Sequence, residues 1–288
     1  MVWGNLIAFY LFLAGASAGA FLTSAFVEKR YPDAKKIRIA GRVIAPIFIA
    51  IGMVLLILDA EAGLYNPLRF VYLVMNPTSV MTIGVYALCV YMPIIFLSLL
   101  LEILKKKIPF AMTIVGCVGA VAVACYTGFL LGVVSPVPLW NNAMLPILFP
   151  VSGISAGLSM TCFVGLILDR VSVSNMRQIK IIHLIAFGVE ILALFVMMVI
   201  VSSSDPAGLA SVTSIISGEY ALMFWGLVIG TGIVIPTIVE TRHLMSKGHH
   251  EISSADYMTS LCVEAFVVAG GLALRFIVVG AAVPIAFL

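Results

Sequence analysis

Apolar runs of about twenty or more residues recur eight times along the chain, separated by short connections. Wound as α-helices at about 1.5 Å per residue, such runs match the hydrocarbon thickness of a bilayer. In lipid every backbone N–H and C=O has to be bonded within the protein, so only helices and closed barrels can span. A barrel would be written in alternating segments of about ten residues, which the sequence lacks. The expected fold is all-α, a polytopic membrane protein with helices at about 4–27, 39–60, 78–104, 108–134, 147–170, 180–203, 219–240 and 256–280. Composition agrees: 62% of residues are hydrophobic and 10% charged, against about 25% charged in soluble domains. The first run lacks a basic leader and a small-residue cleavage site, so it reads as a retained helix. The net charge of +3 is unremarkable, and no nucleic-acid partner is expected.

The connections alternate in charge. Lys29, Arg30, Lys35, Lys36 and Arg38 follow the first helix, and Lys105, Lys106 and Lys107 the third. Arg170, Arg177 and Lys180 follow the fifth, and Arg242 and Lys247 the seventh. The other connections carry one basic residue, Arg69. Basic loops stay on the cytoplasmic side, which places the odd-numbered connections inside and both termini outside. A weak repeat accompanies this pattern. AGASAG at 14–19 and SGISAG at 152–157 align Gly15 with Gly153, Ser17 with Ser155 and Gly19 with Gly157 at one offset. The expected organisation is one membrane domain, 1–288, built as two four-helix bundles at about 1–137 and 138–288, with these glycines at close helix contacts.

Polar residues then sort by depth. Asn5, Asp59, Ser79, Tyr126 and Arg275 fall near the outer surface, with Trp140 and Asn141 in an outer loop; Trp3, Tyr65, Tyr72 and Tyr220 suit an outer aromatic belt. A charge in the bilayer costs about 2.5–3.5 kcal/mol and is expected to be paired, so Arg275 and Asp59 are read as a pair. Deeper lie Glu190, Glu264 and His183, either structural or on a proton path. Glu102, Asp169 and Glu240 sit at the inner edge and read as solvated. Of four histidines only His183 lies in a span. A haem between helices needs two axial ligands, so no haem is expected; His249 and His250 read as a solvated loop. The five cysteines lack C-x-x-C spacing, which argues against an iron–sulfur cluster in this chain and suggests small core residues. No metal site is expected.

Three function classes fit these residues: a secondary transporter, a purely structural anchor, and a quinone-reactive anchor. The last accounts best for a tyrosine in a membrane helix beside polar outer groups. Tyr126 would donate to a quinone carbonyl and Asp59 would exchange the proton.

Four stretches carry a resemblance. They are YLFLAGASAGA at 10–20; LDAEAGLYNPLRF at 58–70 followed by NPTSVM at 76–81; YTGFLL at 126–131 followed by PLWN at 138–141 and Leu145-Pro146; and GGLALR at 270–275. In order and spacing the chain resembles the NrfD/PsrC-like membrane subunits, which include the polysulfide reductase membrane subunit and DmsC-like anchors. Residues 60–66 depart from the tighter turn usual there. The resemblance implies an eight-helix anchor in the inner membrane, without haem, that binds menaquinone or ubiquinone near the outer face. It further implies a docked ferredoxin-like [4Fe–4S] subunit and a catalytic subunit, often with a molybdopterin cofactor. The iron–sulfur subunit would rest on Arg69, Trp140, Asn141, Asn142 and about 204–218. The quinone-binding set is then Tyr126, Asn5, Asp59, Trp140, Asn141 and Arg275.

Overall fold

A computed structural model describes residues 3–59, 71, 74–169, 176–245 and 254–285. Among these residues there is no strand, and eight helices are long and apolar enough to cross a membrane. They are α1 (Asn5–Arg30), α2 (Lys35–Asp59), α3 (Val80–Ile103), α4 (Phe110–Gly132), α5 (Leu145–Leu168), α6 (Arg177–Ser202), α8 (Met223–Met245) and α9 (Ser254–Gly280). Between α6 and α8 runs a short helix, α7 (Pro206–Ile216). Arg69, Arg170, Lys247, Tyr65, Tyr72, His249 and His250 lie outside the described residues.

Two expectations about helices change. The stretch from about 204 to 218, read as loop, contains α7. Its start is marked by Asp205, whose side chain accepts from the Gly208 N–H at 2.8 Å, and by Pro206 in the first turn, both favoured at helix N-termini. The second is the end of α8, a helix that contains Pro236 without being interrupted by it. Residues Met223–Val234 are wound as a π-helix and the α-helix resumes at Ile235. Proline lacks the N–H and its ring would strike the carbonyl four residues back; wider winding before Pro236 relieves that conflict without ending the helix. α8 therefore runs on to Met245, about a turn beyond the expected end near 240.

The basic residues gather at one end of the helices. There Arg38 bonds Glu102 at 2.7 Å, Arg42 bonds Glu28 at 2.5 Å and also pairs with Glu102, and Lys36 donates to the Leu168 carbonyl. Glu102, read as solvated, is thus held between two arginines. At the opposite end Trp140 Nε1 donates to the Val278 carbonyl at 2.6 Å, and the Ile285 N–H to the Pro136 carbonyl at 3.0 Å.

α1 lies centrally, against α2, α4, α5 and α9. Its contact with α5 depends on missing side chains. A β-carbon on Gly153 would lie 2.8 Å from Gly15 Cα, and one on Gly157 would lie 2.2 Å from the Ala16 carbonyl oxygen. Neighbour relations recur along the chain: α1–α2, α2–α3, α3–α4 and α4–α1 touch, as do α5–α6, α6–α8, α8–α9 and α9–α5. Outward faces carry exposed Ile, Leu, Val and Phe side chains such as Phe195 and Ile185, as spans bathed in lipid must. The cysteines are not uniformly core: Cys162 is buried, Cys117 and Cys125 are half-buried, and Cys89 and Cys262 are exposed on outward faces.

Candidate functional site

The first four helices enclose a cavity of 760 Å³ toward the end opposite the basic residues. Met53, Leu56, Ile57 and Asp59 of α2, Met81, Val85, Leu88 and Cys89 of α3, and Tyr126 and Leu130 of α4 line it, with Trp3 and Ile7 from the start of the chain. Two of those residues, Tyr126 and Asp59, bring ionisable oxygen groups to an otherwise apolar wall. Ile57 of α2 and Met81 and Cys89 of α3, all on its wall, are exposed, so the cavity is open rather than sealed along α2 and α3.

Local sequence sets the placement of each polar group. A β-carbon on Gly84 would lie 2.0–2.4 Å from ring atoms of Tyr126; the bare α3 backbone makes the slot in which that ring lies. Among the described residues the Tyr126 hydroxyl has no hydrogen-bond partner, while the side chain itself is buried. Asp59 ends α2 beside the start of α1, where a β-carbon on Gly4 would sit 3.3 Å from its Oδ1. Gly4 supplies no side-chain cap to α1. A carboxylate at that position is favoured by the exposed N–H groups and dipole of the helix N-terminus. The Trp3 ring packs on Trp140 with centroids 5.3 Å apart. An open, largely apolar chamber with a few polar groups suits a hydrophobic ligand with hydrogen-bonding substituents on a ring.

Other residues from the sequence reading lie elsewhere. Asn5 is exposed on the first turn of α1 and is not on the cavity wall. Trp140 is fully buried and bonded to α9; it backs Trp3 rather than roofing the chamber. Asn141 lies in a separate cleft of 150 Å³ with Asn142, Ser204 and Asp205. Arg275 is not the partner of Asp59. It is fully buried and donates from Nη1 to Ser152 Oγ at 2.5 Å and the Gly271 carbonyl at 3.0 Å, and from Nη2 to the Phe149 carbonyl at 2.9 Å. Its guanidinium also lies over the Phe149 ring, 4.9 Å from the centroid. Arg275 and Asp59 share a depth but face different helices, and depth alone cannot separate them.

The deeper polar residues converge among α5, α6, α8 and α9. His183 is buried, with Nδ1 2.6 Å from Glu240 Oε1 and Nε2 2.9 Å from Ser159 Oγ. Donor atoms of His183, Glu240 and Glu264 all lie within 4.8 Å of one another. Glu240, read as a solvated edge residue, is instead 5% exposed; the extra turn of α8 carries it inward. One helical face of α5 presents Ser152, Ser155 and Ser159, all buried. Glu190 shares a cavity of about 10 Å³ with Ser152 and Ser155, the lower limit for one water molecule. The buried Glu190 Oε1 and Ser155 Oγ have no partner among the described residues. The sequence reading missed Trp3 as a wall residue, Gly84 and Glu240. For Gly84 no local signal exists, because its role is set by a residue on the next helix.

Comparison with known proteins fits this arrangement. The profile of the family described as "Polysulphide reductase, NrfD" matches residues 1–285. The chain belongs to the NrfD family. A polysulfide reductase subunit of Wolinella succinogenes is 33% identical, over 96% of the present sequence and 92% of that protein. Protein NrfD of Escherichia coli is 27% identical, covering 86% and 87%, and the NrfD homolog of Haemophilus influenzae 28%, covering 83% of each. With eight helices among the described residues long and apolar enough to span, this NrfD-family protein is a multi-pass protein of the inner membrane, of the kind that serves as a membrane subunit of respiratory complexes. The matched region holds the whole chamber, from Trp3 to Leu130, and the whole His183 cluster.

Proposed function

We propose that this protein is the quinone-reactive membrane anchor of a respiratory oxidoreductase complex. The observation that carries the reading is the open, largely apolar 760 Å³ chamber whose ionisable oxygen groups are Tyr126 and Asp59. A menaquinone or ubiquinone head group would enter between α2 and α3, with its isoprenoid tail left in lipid. Tyr126 would donate to one carbonyl, and Asp59 would take or give the proton that accompanies electron transfer. With basic loops inside, the chamber faces outward and both termini lie on that side. Electrons would pass between the quinone and a docked ferredoxin-like [4Fe–4S] subunit, and through it to a catalytic subunit of the molybdopterin type, where the substrate chemistry resides.

The recurrence of neighbour contacts supports two four-helix halves, with the quinone served by the first. His183, Glu190 and Glu264 in the second half would carry protons, Ser155 and Ser159 bridging them along α5. The test of the quinone reading is Tyr126→Phe in the assembled complex. Removing one hydrogen bond costs about 0.5–1.5 kcal/mol, so quinol-linked turnover at limiting quinol is expected to fall up to about tenfold. Assembly should be unchanged. Normal turnover by an assembled variant would contradict the role given to Tyr126.

A further inference from the structure

The His183 cluster has a feature that a chain of proton carriers does not require. Glu240 Oε2 and Glu264 Oε2 are both buried and have no hydrogen-bond partner among the described residues. Both carboxylates line one cavity of 30 Å³, together with His243, Lys180 and Ser260. Lys180 brings one positive charge to two carboxylates. An isolated buried carboxylate is costly unless it is paired, protonated or bound to a metal.

We propose that His183, Glu240 and Glu264, whose donor atoms lie within 4.8 Å of one another beside this cavity, form a binding site for a divalent transition-metal cation such as Zn²⁺. Mixed imidazole and carboxylate donors suit such ions. The environment of His183 also suits a ligand. Ser159 Oγ lies 2.9 Å from Nε2 and can accept its N–H, which leaves Nδ1 as the coordinating lone pair; an outer hydrogen bond of this kind commonly orients a metal-bound histidine. Nδ1 now shares a proton with Glu240 Oε1 at 2.6 Å. The cation would replace that proton, which leaves to solvent through the cavity. Zinc donors at about 2.0–2.2 Å in a tetrahedron sit about 3.3 Å apart, so the widest pair has to close by up to about 1.5 Å, while His183 Nδ1 and Glu240 Oε1, now 2.6 Å apart, have to open. His243, on the same cavity wall, is available as a fourth ligand.

The proposal is independent of the quinone reading, because the cluster is formed by α6, α8 and α9 and the chamber by α1 to α4; while the cation is bound, His183 and Glu264 are ligands and not proton carriers. Its test is calorimetric titration of the full-length protein in detergent with Zn²⁺, in two buffers of different ionisation enthalpy. One Zn²⁺ per protein is expected, with at least one proton released. Glu264→Gln keeps the shape of the side chain and is expected to weaken binding at least tenfold. A His249→Ala/His250→Ala variant, which removes the loop histidines, is expected to bind as before. If Glu264→Gln does not fold, His183→Gln serves for the same comparison. Absence of saturable zinc binding, or binding lost with the loop histidines and kept in Glu264→Gln, would overturn the proposal.

Discussion

Gly84→Ala is expected to cut quinone-linked turnover by about tenfold or more while the protein still assembles. An added β-carbon would fall 2.0–2.4 Å from the Tyr126 ring, so one of the two has to move. The obstructing atoms belong to a side chain beside a 760 Å³ chamber, and the ring has space to swing into it. The fold therefore survives, and the hydroxyl leaves its place. The loss should match or exceed that of Tyr126→Phe, because the displaced ring also takes up room needed by the ligand. A tenfold change corresponds to about 1.4 kcal/mol, within the range of a lost hydrogen bond. Turnover of the assembled complex, with thermal stability measured alongside, checks this. Unchanged turnover would mean that the position of Tyr126 does not matter.

Gly157→Val acts on the whole molecule. Its β-carbon would meet the Ala16 carbonyl oxygen at 2.2 Å and the Ala20 nitrogen at 2.5 Å. These are backbone atoms of α1 and cannot rotate away. Helix association within lipid depends on close packing rather than on exclusion of water, so separating α1 from α5 disrupts a backbone-to-backbone contact of the central helix α1. Overpacking costs about 1–3 kcal/mol or more, and the upper part of that range is expected here because neither partner is a flexible side chain. The yield of monodisperse protein in mild detergent should collapse, and the thermal midpoint of what remains should fall. Gly188→Ala is the matched control: a β-carbon there meets nothing within 4 Å, and stability should be unchanged.

The spans were legible because membrane thickness imposes a length on every apolar run, and the basic residues then ordered the connections. The close contact of Gly15 with Gly153 was legible for a related reason, since a small-residue run at one offset has few uses other than helix contact. Reading by depth also brought Tyr126 and Asp59 together, because both belong to the first four helices. It failed for Arg275 and Asn141, which share that depth but face other helices. Which neighbour a side chain meets depends on helix rotation, and hydropathy does not encode rotation in a helix that is apolar all round. Glu240 was misjudged for a different reason. Placing the end of α8 near 240 put the residue at the water's edge, whereas α8 continues to Met245 and holds it against His183.

The most direct test of the chamber as the quinone site is photolabelling of the membrane subunit with an azido-quinone, followed by peptide mapping. The account predicts label on residues of α2, α3 and α4 that line the chamber, Met81 and Cys89 among them, and competition by unlabelled quinone. Saturable label confined to α6, α8 or α9 would contradict it.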